Sequence, residues 1–198
     1  MIEGPRADVR TIVGGGIKLG VFTAIGVVIF ALVSRPMAAG TAETLVQSFL
    51  ILLGGSVFAY YPAYAVRPRD ADTIAWSALL GLVGALAFTV IDTAVLRPLD
   101  IYRWTWDKIG GGSGFWYVPV WWMGSAVLAW FGAWVSANRD AASLQDTVAA
   151  AAQTVVIAVA LFAVITLTAW PFHSAMMALS FAVGLVFHVV ISRVLRRE

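Results

Sequence analysis

Six long apolar runs, separated by short polar interruptions, set the pattern of this chain. They cover residues 11–33, 41–66, 73–96, 115–137, 144–170 and 172–192. Each is long enough to cross a hydrocarbon core of about 30 Å as an α-helix. The pattern predicts an all-α integral membrane protein: one transmembrane domain, residues 1–198, with six spans. The interruptions fit that reading. Pro62 falls in the last turn of the second run, where a proline kinks or ends a helix. Ser143 and Asp146 have capping-box spacing and predict a helix start near Leu144. Trp170-Pro171 leaves room for only a very short turn before the sixth run. Gly14, Gly15, Gly16 and Gly20 make the first run a weak helix former that allows close helix contact. Lys18, two turns into that run, reads as a residue whose ammonium returns to the interface along its flexible stem, with a buried ion pair as the alternative.

Composition strengthens the membrane assignment. Hydrophobic residues make up 61% of the chain and charged residues 12%, about half the charged share of a soluble domain. The first apolar run is too long for a cleaved signal peptide and is followed by Arg35 and Pro36. With no cysteine, disulfides, thiolate metal sites and cysteine nucleophiles are excluded. A net charge of +2, with basic residues at run ends, argues against a nucleic-acid partner and makes those residues topology signals. Arg6, Arg10, Lys18, Arg67, Arg69, Arg139, Arg193, Arg196 and Arg197 fall on one side of a six-span model. Arg35, Arg97, Arg103 and Lys108 fall on the other. The richer side is expected to be cytoplasmic, which puts both termini inside a bacterial-type inner membrane. Tyr60, Tyr61 and Tyr64, just before Arg67, fit an aromatic belt at headgroup level.

One stretch departs from this lipid-like pattern. Between Asp92 and Met123 lie Asp92, Arg97, Asp100, Arg103, Asp107 and Lys108, together with five of the nine tryptophans and a glycine-rich run from Gly110 to Gly114. Leu99, Tyr102, Trp106 and Ile109 recur at roughly helical spacing, so a Trp-rich interfacial helix is expected between the third and fourth spans. Asp92 is the acidic residue set well inside an apolar run, and a carboxylate there costs about 3 kcal/mol unless it faces protein, water or a cation. Arg97, five residues on, and Arg103 are its candidate partners, and a proton- or substrate-linked role is the alternative to a structural pair. Trp104 and Trp106, alternating with charges, would suit stacking of a flat or cationic ligand, or anchoring in lipid. Asp92, Arg97, Arg103, Trp104, Trp106 and His173 form the candidate ligand-binding set.

Other chemistry is thinner. Gly111-Gly112-Ser113-Gly114 resembles the Gly-x-Ser-Gly sequence around the serine of rhomboid-like intramembrane proteases, which also place a histidine on the sixth span. Here Ser113 precedes the fourth span, and a flexible hinge is the simpler reading. His173 and His188 are 15 residues apart, about 22 Å along a helix, and cannot share a metal. Each could supply one axial ligand to a haem or chlorin, but no second helix offers a histidine to complete a pair, so no cofactor is assigned. The runs beginning at Trp76 and His173 share a Ser-Ala start and a Val-Leu-Arg end, as a three-plus-three inverted repeat would require. These features favour a multi-pass protein that binds or conducts a small solute on its extracytoplasmic side. An accessory subunit of a larger membrane complex, binding lipid or pigment, comes second, and an intramembrane enzyme third. The expected partners are membrane lipids, a small solute, and partner subunits or further copies of the chain.

Overall fold

A computed structural model of the protein describes residues 8–101, 117–141, 143–168 and 172–195. Six helices form: α1 (Val9–Ser34), α2 (Thr41–Val66), α3 (Ala71–Ile91), α4 (Tyr117–Asn138), α5 (Leu144–Leu167) and α6 (Ser174–Leu195). A π turn, Asp92–Leu96, extends α3. All six are long and apolar enough to cross a membrane, and the chain is a multi-pass α-helical membrane protein. Their bounds lie within a few residues of the apolar runs. The expected Trp-rich helix, Arg97 to Ile109, lies from residue 102 onward outside the described residues. What is described of it, Arg97 to Asp100, is a turn that ends with Asp100 in the left-handed region, at φ 50°.

The ends of the helices follow local chemistry. Asp8 caps α1 by accepting from the Thr11 amide, and Asp70 caps α3 through a reciprocal box with Thr73. The Thr11 and Thr73 amides hold both carboxyls below the usual carboxylate range. These caps are therefore complete above the ordinary carboxylate pKa and are lost as pH falls through the lowered values. Ser143 and Asp146 form the expected box at the start of α5. Pro62 sits inside α2 in its last turns, and the helix ends with Arg67 at φ 58°.

Contacts between helices define direction and register. Gly16 and Gly20 of α1 meet Val83 to Phe88 of α3, so these two helices run parallel. Gln47 and Tyr60 of α2 reach Ser174 and His188 of α6, which makes that pair parallel as well. Trp122 and Ala129 of α4 meet Thr89 and Gly81 of α3, an antiparallel pair. Helices α1, α3 and α5 thus ascend while α2, α4 and α6 descend, and the start of α1 and the end of α6 share one end of the bundle. α2 is the central element, packed against all five others, whereas α1 packs on α3 and α2, and α5 on α6, α2 and α4. Exchanging the first three helices with the last three would turn the extensive α3–α4 packing into α6–α1 packing. Those two helices are not neighbours, so the packing lacks the symmetry of a three-plus-three repeat.

Small residues make the central position of α2 accessible. Lipid tails are as apolar as leucine, so helices associate in a membrane through close packing rather than through exclusion of water. At the α2–α4 contact the backbone of Ala59 lies directly against Gly132, where a Cβ would strike the Ala59 carbonyl oxygen. Ala59, Ala63, Ala129 and Ala133 are all buried around it. Gly132→Ala should therefore force α2 and α4 apart and cost on the order of 3 kcal/mol. Gly124→Ala, on the same helix with open space at its Cβ, should be neutral or slightly stabilising. Melting of the two variants in detergent checks the contrast; equal behaviour would refute the tight α2–α4 contact.

Candidate functional site

The outer polar centre begins where α3 changes its winding. Asp92 and Arg97 are five residues apart, one more than the longest spacing that brings side chains together on an α-helix. The π turn removes the obstacle, because its i to i+5 hydrogen bonding, here the Arg97 amide to the Asp92 carbonyl at 3.0 Å, stacks residues five apart. Arg97 Nε donates to Asp92 Oδ2 at 2.9 Å, with the carboxylate side chain 4% exposed and the guanidinium side chain 43%. The buried anion is thus compensated within its own span, and the cation reaches the surface. Nearby, Arg35, just beyond α1, donates to the Asp100 carbonyl at 2.6 Å and ties the first loop to the chain that leaves the π turn. Trp122 Nε1 donates to Thr89 Oγ1 at 3.1 Å and links α4 to the same end of α3.

Between α1 and the end of α3 lies an apolar groove of about 340 Å³, lined by Val21, Ala24, Ile25, Val28, Ile29, Ile91 and Leu96. Its origin is the α1–α3 contact. The two helices touch closely at Gly16 and Gly20 and leave the groove one turn further toward the π turn, where Ala24 and Val28 replace glycine. Ile91 and Leu96 flank Asp92 and Arg97 in sequence, so an apolar cleft and a buried ion pair share one short segment.

His173 occupies a different place. It is exposed just before α6, where its Nδ1 accepts from the Ala175 amide at 3.1 Å, and α6 packs on α5, α2 and α4 rather than on α3. Its imidazole therefore acts as a cap for α6. Arg103, Trp104 and Trp106 lie outside the described residues. No family model, curated protein or solved structure matches this chain.

Toward the other end of the bundle stands a second polar centre that the hydropathy pattern alone does not single out. Tyr60 of α2, Thr154 of α5 and His188 of α6 meet in the core, each at most 2% exposed. Thr154 Oγ1 lies 2.5 Å from the Tyr60 hydroxyl and 2.7 Å from His188 Nδ1. Asn138 Nδ2 donates to Ser192 Oγ at 3.0 Å one turn beyond His188, and Arg139 donates to Gln153, the neighbour of Thr154. Tyr60 is therefore not part of an aromatic belt. Tyr64 does face outward, at 39% exposure, and Tyr61 packs edge-on against Phe22 of α1. The available signal was the presence of Thr154, His188 and Ser192 inside apolar runs, yet each run alone offers no clue to which of them converge. Among the described residues no group of three or more His, Asp or Glu side chains could hold a metal ion.

The ion pair is open to a direct test. Asp92→Asn leaves Arg97 without its buried counter-charge and should lower stability in detergent by about 1–3 kcal/mol, less than for a fully buried pair because Arg97 reaches solvent. Arg97→Gln in the same background should cost less than it does in wild type, a coupling of about 1–2 kcal/mol. Additive losses in this cycle would show that the contact contributes nothing.

Proposed function

We propose that the chain is a bacterial-type inner-membrane protein that binds a small amphiphilic solute at its extracytoplasmic end. The observation that carries this reading is the juxtaposition of the apolar groove with the Asp92–Arg97 pair. A cleft of this size suits the body of a small apolar molecule, while the half-exposed guanidinium of Arg97, next in the chain to the lining residue Leu96, suits a polar end. Arg103, Trp104 and Trp106 follow in the sequence within ten residues of Arg97 and would supply further charge and stacking surface. Conduction of the solute is the stronger form of the same proposal. The apolar lining of the groove also supports a second reading, an accessory subunit that holds a lipid for a larger membrane complex. Recovery in a stable hetero-complex on gentle solubilisation would favour that alternative.

The orientation proposed has both termini in the cytoplasm, on the basis of the nine basic residues at that end against four at the other. The chain lacks cysteine, so single cysteines report cleanly. Ala39→Cys, in the exposed turn between α1 and α2, should react with an impermeant thiol reagent added to intact cells. Gln145→Cys, exposed in the first turn of α5, should react only after the membrane is opened. The reverse order would invert the protein. For the binding reading, native mass spectrometry of protein purified in mild detergent should show a retained amphiphile of defined mass. Ile25→Trp, which fills the groove, should abolish it, and Arg97→Gln should reduce it at least several-fold. Retention undiminished in Ile25→Trp would exclude the groove as the site.

A further inference from the structure

We propose that Tyr60, Thr154 and His188 form a proton-binding site, reached from the end of the bundle that carries the termini by way of Ser192 and Asn138. The inference rests on the donor and acceptor inventory of three buried groups and is independent of the solute site at the other end. A threonine hydroxyl has one hydrogen and two acceptor positions, whereas a neutral imidazole has one donor and one acceptor nitrogen. In the neutral form of the proposed site, Thr154 donates to His188 Nδ1 at 2.7 Å and accepts from the Tyr60 hydroxyl at 2.5 Å, with the imidazole hydrogen on Nε2.

Uptake of a proton by Nδ1 reverses one bond and breaks none that the site cannot replace. Nδ1–H then donates to Thr154 Oγ1, Tyr60 continues to donate to the same oxygen, and the threonine hydrogen turns to the Ala150 carbonyl, 3.3 Å away. One N–H bond forms, and the proton comes from water and returns to it. Three buried serines of the bundle do not have this freedom. Ser77, Ser136 and Ser180 each donate to the carbonyl four residues back on their own helix and serve no other element. Thr154 has the same carbonyl within reach and instead spans three helices.

Polar residues lie between the site and the end of the bundle that carries the termini. Ser192 follows His188 by one turn of α6 and joins Asn138 at the end of α4, next to exposed Arg139. The groups facing His188 are Tyr60 from α2, Thr154 from α5 and, within electrostatic reach, Arg139 from the end of α4; α6 itself adds Arg193 five residues on. Arg139 is held by Gln153, and Asp146 of α5 is engaged in the Ser143 capping box.

The two histidines make this directly measurable. Protein labelled with ¹⁵N-histidine, in nanodiscs, gives two sets of imidazole signals, and His173→Asn assigns them. Near neutral pH His188 should show the neutral Nε2–H tautomer, and on acidification it should convert reversibly to imidazolium while the bundle stays folded. Thr154→Val should lose that conversion before unfolding, and Thr154→Ser should restore it. A wild-type His188 that carries its neutral proton on Nδ1, or stays neutral down to the acid unfolding of the bundle, overturns the proposal. So does a titration that Thr154→Val leaves unchanged. Should the valine variant fail to fold, the wild-type tautomer and its titration decide the matter alone.

Discussion

Every polar group inside this bundle must find its partner in protein, because the hydrocarbon around it supplies none. Most of the buried hydroxyls meet that requirement in the simplest way, by donating to a carbonyl one turn back on their own helix, as Ser77, Ser136 and Ser180 do. Such residues add small volume without committing the helix to a particular neighbour. The groups too large or too charged for this local remedy determine where the helices must meet. Asp92 is met by Arg97, His188 by Thr154 and Tyr60, and Gln47 by Glu43 and Ser174.

These contacts divide the molecule into two unlike ends. At the end away from the termini, charge is compensated within the chain that leaves α3, and α1 and α3 separate to leave an apolar cleft beside the pair. At the other, three helices are joined around one hydroxyl with no charge at its centre. Between them α2 passes through the middle of the bundle, packed on Ala59 and Gly132 toward α4 and on Gly55 and Phe181 toward α6. Ser48 and Ser56 also lie on α2, and their buried hydroxyls have no hydrogen-bond partner among the described residues. This helix touches every other one and so is in contact with both halves of the bundle. Coupling between the two ends would require two arrangements of α2 that both ends bias.

The π turn shows how a local departure from ideal helix geometry can serve a specific pair. Widening one turn lets Arg97 stack over Asp92 while Pro98, with no amide hydrogen to place, follows at the point where the chain turns away. An α-helical continuation would have rotated the guanidinium off the carboxylate. The π turn thus brings a cation to the anion from within its own span.

By itself the sequence determined the number of the spans and their limits to within a few residues, the helix start at Ser143, and the concentration of charge after Asp92, because these depend on length, hydropathy and neighbours within four residues. It also identified Arg97 as one of two partners for Asp92. Which of the two pairs within the described residues, and how five-residue spacing is bridged, depended on a π turn that no local propensity specifies. Tyr60 read as a belt residue because proximity to Arg67 is visible in sequence and the direction of its ring is not. Only the packing of α2, α5 and α6 turns that ring inward and sets Thr154 between it and His188, residues 94 and 34 positions apart in the chain. Hydropathy averages over a helix circumference, whereas partners are chosen by one face at one depth, and that choice belongs to the tertiary structure.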